Sequence, residues 1–239
     1  LRLFLKLVAT VDRDYKKKNL GLEPLPDVDF NIRAGNTLVG FATLNQIKDV
    51  LTKERHGEVF QKRMLFTKDI DTLKRIDESA EMANRAFQRF QEMQTDYGMN
   101  AHEFTSTKSL LNERLEVLEK ELNSYLAREY NIDVNKNTNY QKWLTSYKPF
   151  HWFIEFYGIM NKGGFDVIIG NPPYVEYAKV KKDYTVYGYK TEICGNLYAF
   201  VIERNSALLH NNGRTGMIVP HSAICTDRME SLQHFFTKE

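Results

Sequence analysis

Four consecutive residues, Asn171, Pro172, Pro173 and Tyr174, have the types and the order expected of a site that holds a planar amine. The Asn171 carboxamide oxygen and the Pro172 carbonyl oxygen are hydrogen-bond acceptors, and the prolines stiffen the backbone that carries them. Two rigid acceptors can take both protons of an –NH₂ group and draw its nitrogen lone pair out of conjugation with a ring. The Tyr174 side chain offers a flat face for that ring, and stacking of this kind is worth about 1–3 kcal/mol. A plain turn at the end of a strand is the alternative explanation.

The elements around these residues can be predicted from the apolar pattern. Phe165–Gly170 is an apolar run that leads directly into the two prolines, which predicts a buried strand followed by a stiff turn. Residues 197–208 have helical spacing with a glycine stop at Gly213, and residues 214–220 form a second predicted buried strand. Strands that alternate with helices predict a doubly wound α/β sheet, in which ligands bind at the carboxyl ends of strands.

A long segment from about residue 44 to residue 130 has a different character. Glycine and proline nearly vanish, and apolar residues recur at intervals of three and four, which predicts two helices in a long antiparallel hairpin. The predicted seams consist of Leu73, Ile76, Ala80, Ala83, Phe87 and Phe90 in one helix and of Leu111, Leu115, Leu118, Leu122 and Tyr125 in the other. Helix packing explains this segment most simply, and direct DNA contact by its lysines and arginines is the alternative.

Composition restricts the classes of function. The net charge is +2, so a surface that binds nucleic acid must be local. The two cysteines, Cys194 and Cys225, are far apart and the six histidines are scattered, so we expect neither a metal site nor a disulfide. No apolar run approaches the length of a membrane span. We therefore expect no membrane association and a location in the cytoplasm.

The segment GFDVIIGNPPYV resembles motif IV of amino-methyltransferases, the Asn-Pro-Pro-Tyr class that transfers a methyl group from S-adenosylmethionine. Three longer segments are similar to the large N6-adenine-specific DNA methyltransferases of type IIG and related restriction-modification systems: PLPDVDFNIRAGNTLVG, FHWFIEFYGIMNKGGFDVIIGNPPY and GNLYAFVIERNSALLHNNGRTGMIVP. The resemblance covers most of residues 1–40 and 147–222. It implies methylation of the N6 amine of an adenine that is flipped out of DNA.

The resemblance also implies a fold and a division of the chain. We expect an α/β fold, a partial doubly wound, Rossmann-like methyltransferase sheet with a long helical-hairpin insertion. The expected parts are residues 1–43 as the first part of the methyltransferase core, 44–146 as the helical insertion and 147–239 as the second part of the core.

Individual roles follow where this sequence matches the family motifs. Asn171, Pro172 and Tyr174 correspond to the amine pocket of the catalytic site, and Pro173 fixes the turn. Asn36 corresponds to the position that reads the adenine of the cofactor, and a local turn former is the alternative for it. The loop after Tyr174 is rich in lysine and tyrosine and is suited to hold DNA phosphates, unless it is simply a solvated loop. The residues that we predict to bind DNA are Tyr177, Lys179, Lys181 and Lys182.

The glycine-rich motif through which the family chiefly binds its cofactor is not found in this sequence. We therefore expect this chain to be part of a larger restriction-modification polypeptide, to bind S-adenosylmethionine weakly or not at all by itself, and to be inactive alone. Two alternatives remain open. The same pocket suits another planar amine, that of a guanine in ribosomal RNA or of a protein glutamine. The chain is alternatively a non-catalytic scaffold whose helical arm docks partners.

Overall fold

The computed structural model of the chain describes residues 30–56, 59–62, 64–95 and 101–236, together with residues 6, 9, 10, 12 and 14–16. Within these ranges the α-helices are α1 (Leu44–Thr52), α2 (Thr67–Thr95), α3 (Ala101–Glu129), α4 (Asn137–Tyr147), α5 (Trp152–Glu155), α6 (Tyr157–Met160), α7 (Tyr177–Val180), α8 (Leu197–Leu208), α9 (Ser222–Cys225) and α10 (Glu230–Phe236). The strands are β1 (Lys53–His56), β2 (Val59–Lys62), β3 (Phe165–Gly170) and β4 (Leu209–Met217). Short 3₁₀ helices span Lys190–Cys194 and Asp227–Met229.

Two compact units divide the chain. The first comprises Leu1–Arg33 and Arg85–Asn112, and the second comprises Ala34–Asn84 and Glu113–Glu239. The sequence-based boundaries at residues 43/44 and 146/147 stay predictions. All residues of the candidate site described below belong to the second unit.

Helices α2 and α3 run antiparallel where they pack within each unit. In the second unit Arg75 of α2 forms an ion pair with Glu121 of α3, and Arg114 Nη1 donates to the carbonyl of Met82 at 3.3 Å. In the first unit the rings of Phe90 and Phe104 stack, with centroids 4.7 Å apart. The fully or nearly buried residues of the predicted seams are Ile76, Ala80, Ala83, Phe90, Leu111, Leu118 and Leu122. Burial of one apolar stripe on each helix stabilises both.

Strands β1 and β2 interrupt the segment that we predicted to be helical throughout. They pair in antiparallel fashion, with Lys53 opposite Lys62 and His56 opposite Val59. The backbones of residues 53–56 and 59–62 therefore make hydrogen bonds between neighbouring strands and not helical ones. Side-chain spacing over so short a stretch does not reveal this difference.

Strands β3 and β4 form a two-stranded parallel sheet, and α8 belongs to the connection between them. The mixture of helices with a parallel strand pair is that of an α/β protein. Gly164, at φ +114°, lets the chain enter β3 close to the end of α8, because a Cβ atom there would lie 2.4 Å from the Leu208 carbonyl oxygen. Helix α8 ends at Leu208, and β4 begins at once, where the sequence predicted the helix to continue to Gly213.

The prediction that these strands are buried is wrong for the part of the chain that the structure describes. Val167 and Ile169 of β3 are 61% and 79% exposed, and Ile218, just after β4, is 66% exposed. A parallel sheet is normally covered on both faces, which is why its strands are apolar. The described residues supply two strands to this sheet and do not cover these apolar side chains.

None of the helices in the described ranges combines the length and the hydropathy that a transmembrane segment requires.

Candidate active site

The four residues Asn171–Tyr174 follow β3 directly, at its carboxyl end. The Gly170 carbonyl accepts a hydrogen bond from Ile218 N at 3.0 Å, which holds the last residue of β3 against the chain that leaves β4. The Tyr174 hydroxyl donates to the Ile218 carbonyl oxygen at 2.8 Å and lies 2.9 Å from Asn171 Oδ1. Its single proton is therefore shared between two acceptors, and the hydroxyl ties both ends of the turn together.

Exposure within this turn is uneven. Asn171, Pro173 and Tyr174 are exposed, whereas Pro172 is buried. The Tyr174 ring is 49% exposed and meets the buried Tyr198 ring edge to face, with centroids 6.2 Å apart. Tyr174 thus has one supported side and one accessible side, which is the arrangement that a stacking platform needs.

The chain just after the turn is fastened to the residues that precede α8. Leu197 N donates to the Val175 carbonyl at 2.9 Å and Tyr177 N donates to the Gly195 carbonyl at 2.8 Å. Glu176 forms an ion pair with Arg228 at 2.8 Å, and this hydrogen bond lowers the pKa of the Glu176 carboxyl. The turn is therefore anchored immediately downstream by backbone bonds and a charge pair.

Asn196, whose role the sequence left open, is buried where residues 175–177 form hydrogen bonds with the segment that precedes α8. Its Nδ2 lies 3.4 Å from Glu176 Oε1, while its buried Oδ1 has no hydrogen-bond partner among the residues that the structure describes. Its position beside Glu176 gives it a part in holding the turn.

Asn36 lies in a turn that packs against the end of α4. Its side-chain Oδ1 accepts a hydrogen bond from Leu38 N at 3.1 Å, and its backbone N donates to the Lys148 carbonyl at 2.8 Å. The Asn36 amide also donates to the Tyr184 hydroxyl, which opposes the rise that burial causes in the pKa of this tyrosine. Asn36 therefore forms a local turn, the alternative that the sequence analysis retained for it, and it presents its amide beside an aromatic ring.

A cavity of about 1410 Å³ brings Asn36 and Pro173 together, although 137 positions separate them in the sequence. Its wall also includes residues from the loop after the turn, from α8, and from both α3 and α4. The charged, amide and tyrosine side chains of this wall include Glu116, Glu119, Lys120, Asn123, Tyr140, Tyr147, Lys148, Asp183 and Tyr184. Such a volume exceeds the roughly 300–1,000 Å³ of a typical small-molecule pocket, so there is room for more than one group.

The sequence pattern predicted helix packing for α3 and did not indicate that the helix also lines a cavity. Glu119 and Asn123 lie four residues apart, each directly after a buried seam residue, Leu118 and Leu122. A polar stripe beside an apolar seam is the only signal in the sequence, and it is also common on helices that simply face water.

A buried histidine connects this wall to the rest of the second unit. His151 Nδ1 accepts a hydrogen bond from Phe41 N at 3.1 Å, so the ring proton is on Nε2, which donates to Asn123 Oδ1 at 3.1 Å. Burial, with a contribution from the Arg204 charge, lowers the pKa of His151 to about 3. His151 is consequently neutral near pH 7, and its tautomer is fixed by its partners.

The predicted DNA-binding residues divide into two groups. Lys179, Lys181 and Lys182 are exposed, with Lys181 Nζ placed 5.6 Å from the centre of the Tyr177 ring. Tyr177 itself is 5% exposed, accepts a hydrogen bond from Val186 N at 2.9 Å and packs edge to face on Phe200. We therefore revise its role from contact with DNA to packing, because a buried ring cannot reach a phosphate. Nothing in the sequence distinguishes Tyr177 from Tyr187, which follows ten residues later and is 57% exposed.

Comparison with known proteins gives two matches. The family model for Eco57I restriction-modification methylase matches residues 1–239. A protein of Methanocaldococcus jannaschii, described as a type II restriction enzyme and methyltransferase, is 29% identical over 265 residues. The alignment covers 100% of this chain and 22% of that relative, so the chain spans less than a quarter of the relative's length. No solved structure matches the chain.

Proposed function

Because this chain belongs to the Eco57I restriction-modification methylase family, we propose that it contributes the catalytic turn of an enzyme that methylates the N6 amine of adenine in DNA. The cofactor of the proposed reaction is S-adenosylmethionine. The observation that carries the proposal is the Asn-Pro-Pro-Tyr turn at the carboxyl end of β3. Its Asn171 and Tyr174 are exposed, and its Pro173 lines the same cavity as Asn36.

In the proposed role, Asn171 Oδ1 and the Pro172 carbonyl oxygen accept the two protons of the adenine amine. Asn171 Oδ1 has two lone pairs, of which the Tyr174 hydroxyl engages one, so one remains for the substrate. The accessible face of the Tyr174 ring stacks on the flipped base. These contacts localise the lone pair on the amine nitrogen, which makes it a nucleophile, and the surplus proton leaves after transfer.

The residues that line the cavity fit a nucleoside with a positive charge. Tyr140, Tyr147 and Tyr184 supply aromatic surface, Asn36 supplies an amide, and the carboxylates of the wall outnumber its lysines. When bound, S-adenosylmethionine supplies an electrophilic methyl group on a sulfonium. In this proposal Asn36 lies near the adenine of the cofactor, and Pro173 borders the same space from the side of the substrate.

Duplex DNA buries the adenine amine in the base stack, so an enzyme of this kind must flip the base out. The exposed Lys179, Lys181 and Lys182 follow the turn closely in sequence and are proposed to hold the backbone phosphates beside the flipped nucleotide. Contacts of this kind position DNA without reading its sequence.

The experiment compares Asn171→Ala with Asn211→Ala, an exposed asparagine of β4, in the intact protein. Transfer of a labelled methyl group to plasmid DNA is measured, and the product is digested and identified by mass spectrometry. We expect Asn171→Ala to lose about 100-fold or more of the rate, the loss typical of removing one oriented polar group from a catalytic site. Asn211→Ala should keep the rate, and both variants should melt close to the unsubstituted protein.

Parallel assays on ribosomal RNA and on a release factor distinguish the remaining substrates of an Asn-Pro-Pro-Tyr pocket. Label in N6-methyladenine of DNA supports the proposal, whereas label in guanine or in glutamine would redirect it to that amine. Full activity of Asn171→Ala would rule out the proposed pocket and favour the non-catalytic scaffold.

A further inference from the structure

Glu119 of α3 is a half-buried carboxylate in the wall of the cavity. Burial raises the pKa of Glu119, and a hydrogen bond from Asn123, one turn along the helix, acts in the opposite direction. A carboxylate has about four acceptor positions, and Asn123 engages one of them. The remaining positions are available to water or to a ligand.

The Asn123 side chain is oriented by a hydrogen bond from His151, which is itself held by the backbone of Phe41. Phe41 N donates to His151 Nδ1, and His151 Nε2 donates to Asn123 Oδ1, which leaves the Asn123 Nδ2 protons for Glu119. His151 and Asn123 are 1% and 4% exposed, so this chain of donors is shielded from water. Because every link donates in the direction of Glu119, the network holds its carboxylate in place and stabilises its charged form.

The charges of the cavity wall favour a cation. The wall contains three carboxylates, Glu116, Glu119 and Asp183, and two lysines, Lys120 and Lys148. Lys120 forms an ion pair with Glu116 at 3.8 Å, whereas no cation among the described residues lies within 4 Å of the Glu119 carboxylate. The charge of Lys120 still acts on Glu119 from farther away, and the charge of Glu116 opposes it. A partly buried, oriented carboxylate with no cation in direct contact within the described ranges repels a phosphate backbone and attracts a positively charged ligand more strongly than it would in water.

We propose that Glu119 binds the positively charged sulfonium group of S-adenosylmethionine and thereby distinguishes this cofactor from its thioether product, S-adenosylhomocysteine. The inference rests on the proposed methyl transfer. The two ligands differ by one methyl group and by the charge on sulfur, so the carboxylate favours binding before transfer and release after it. This role for Glu119 also means that α3, which belongs to the helical insertion, takes part in cofactor binding.

The test is calorimetric titration of both ligands into the intact protein and three variants. Glu119→Gln removes the charge but keeps the shape of the side chain, Glu119→Asp keeps the charge, and Glu113→Gln alters an exposed carboxylate of the same helix outside the cavity wall. We expect Glu119→Gln to raise the Kd for S-adenosylmethionine about tenfold, equivalent to about 1.4 kcal/mol, and to leave the Kd for the thioether unchanged within about twofold. Glu119→Asp and Glu113→Gln should keep the preference for the charged ligand.

Several results would overturn the proposal. Equal weakening of both ligands by Glu119→Gln would mean that Glu119 only shapes the cavity, and unchanged binding of both would remove it from the site. In either case the proposed methyl transfer survives. If the unsubstituted protein binds neither ligand, the cofactor assignment itself fails. Melting temperatures and the Glu119→Asp variant separate loss of the charge from loss of the fold.

Discussion

The Tyr174 hydroxyl links the two sides of the candidate catalytic turn. It bonds the Ile218 carbonyl and lies within hydrogen-bond distance of Asn171 Oδ1, while the exposed face of its ring is free for a planar ligand. One residue therefore combines two separable functions, orientation of the acceptor and stacking. Substitutions that remove one function at a time can distinguish them.

We predict that Tyr174→Phe lowers the rate of methyl transfer by less than about tenfold, because it removes a hydrogen bond worth about 0.5–1.5 kcal/mol and keeps the ring. Tyr174→Ala should lower the rate further, by about 10- to 100-fold beyond the phenylalanine variant, because stacking of about 1–3 kcal/mol is lost as well. Single-turnover rates with saturating cofactor measure both effects. Equal losses in the two variants would contradict a stacking role for the ring.

Helix α3 presents different chemistry on neighbouring positions. Leu118 and Leu122 are 3% and 0% exposed, whereas Val117 is 61% exposed and Glu119 faces the cavity. Packing of the apolar stripe fixes the rotation of the helix, and this rotation decides which polar residues reach the cavity. A defect in the seam should therefore disturb the cavity wall as well as the stability of the fold.

We predict that Leu118→Ala lowers the free energy of unfolding by about 2–5 kcal/mol, the range for truncation of a buried leucine. Val117→Ala, one position away on the same helix, should change it by no more than about 0.5 kcal/mol, because an exposed side chain loses little packing. Denaturation by urea, followed by circular dichroism, measures both values. Similar losses for the two variants would mean that α3 packs through a different face.

The hydrogen bonds of His151 connect three segments that are remote in the sequence. His151 accepts a hydrogen bond from Phe41 N and donates one to Asn123 Oδ1. Asn123 in turn donates to Glu119 in the cavity wall. A neutral ring is required, because a second ring proton would remove the acceptor that Phe41 N needs. The stability of the second unit should accordingly depend on pH.

We predict a loss of stability on acidification. Histidine in an unfolded chain has a pKa near 6.5, and His151 in the folded protein has a pKa of about 3. Below about pH 6.5 the unfolded state binds a proton that the folded state does not bind, so the free energy of unfolding falls by up to about 1.4 kcal/mol per pH unit. This loss continues until the pH approaches the folded-state pKa, and above about pH 7 the group makes no pH-dependent contribution.

The control for this prediction is His151→Gln, which keeps a donor for Asn123 but carries no titrating ring. The variant should be less stable at every pH, because the single amide of glutamine cannot place an acceptor and a donor where the two ring nitrogens of histidine lie. Its stability should fall less steeply between pH 7.5 and 5.5. Urea titrations at the two pH values give both slopes. Parallel slopes would show that His151 is not the group that titrates.

The strand-end turn, the two helical seams and the family resemblance were accessible from the sequence alone. Each depends on residues that are close together in the chain, where proline geometry and apolar periodicity act directly. The apolar pattern of residues 165–170 correctly indicated a strand, but it could not indicate that Val167 and Ile169 are exposed, because exposure depends on which other segments cover them. The same limit applies to Tyr177, whose burial depends on Phe200 of α8.

Only the tertiary structure decided which remote residues meet. Asn36, Glu119 and Pro173 come from separate parts of the chain and line one cavity, and the proton position on His151 follows from partners about 28 and 110 residues away in sequence. Local spacing determines the type of an element and the face that it buries. Packing between elements determines which residues contact that face. It also determines the charge and the tautomer of the enclosed groups, because their burial and their hydrogen-bond partners arise only when the elements come together.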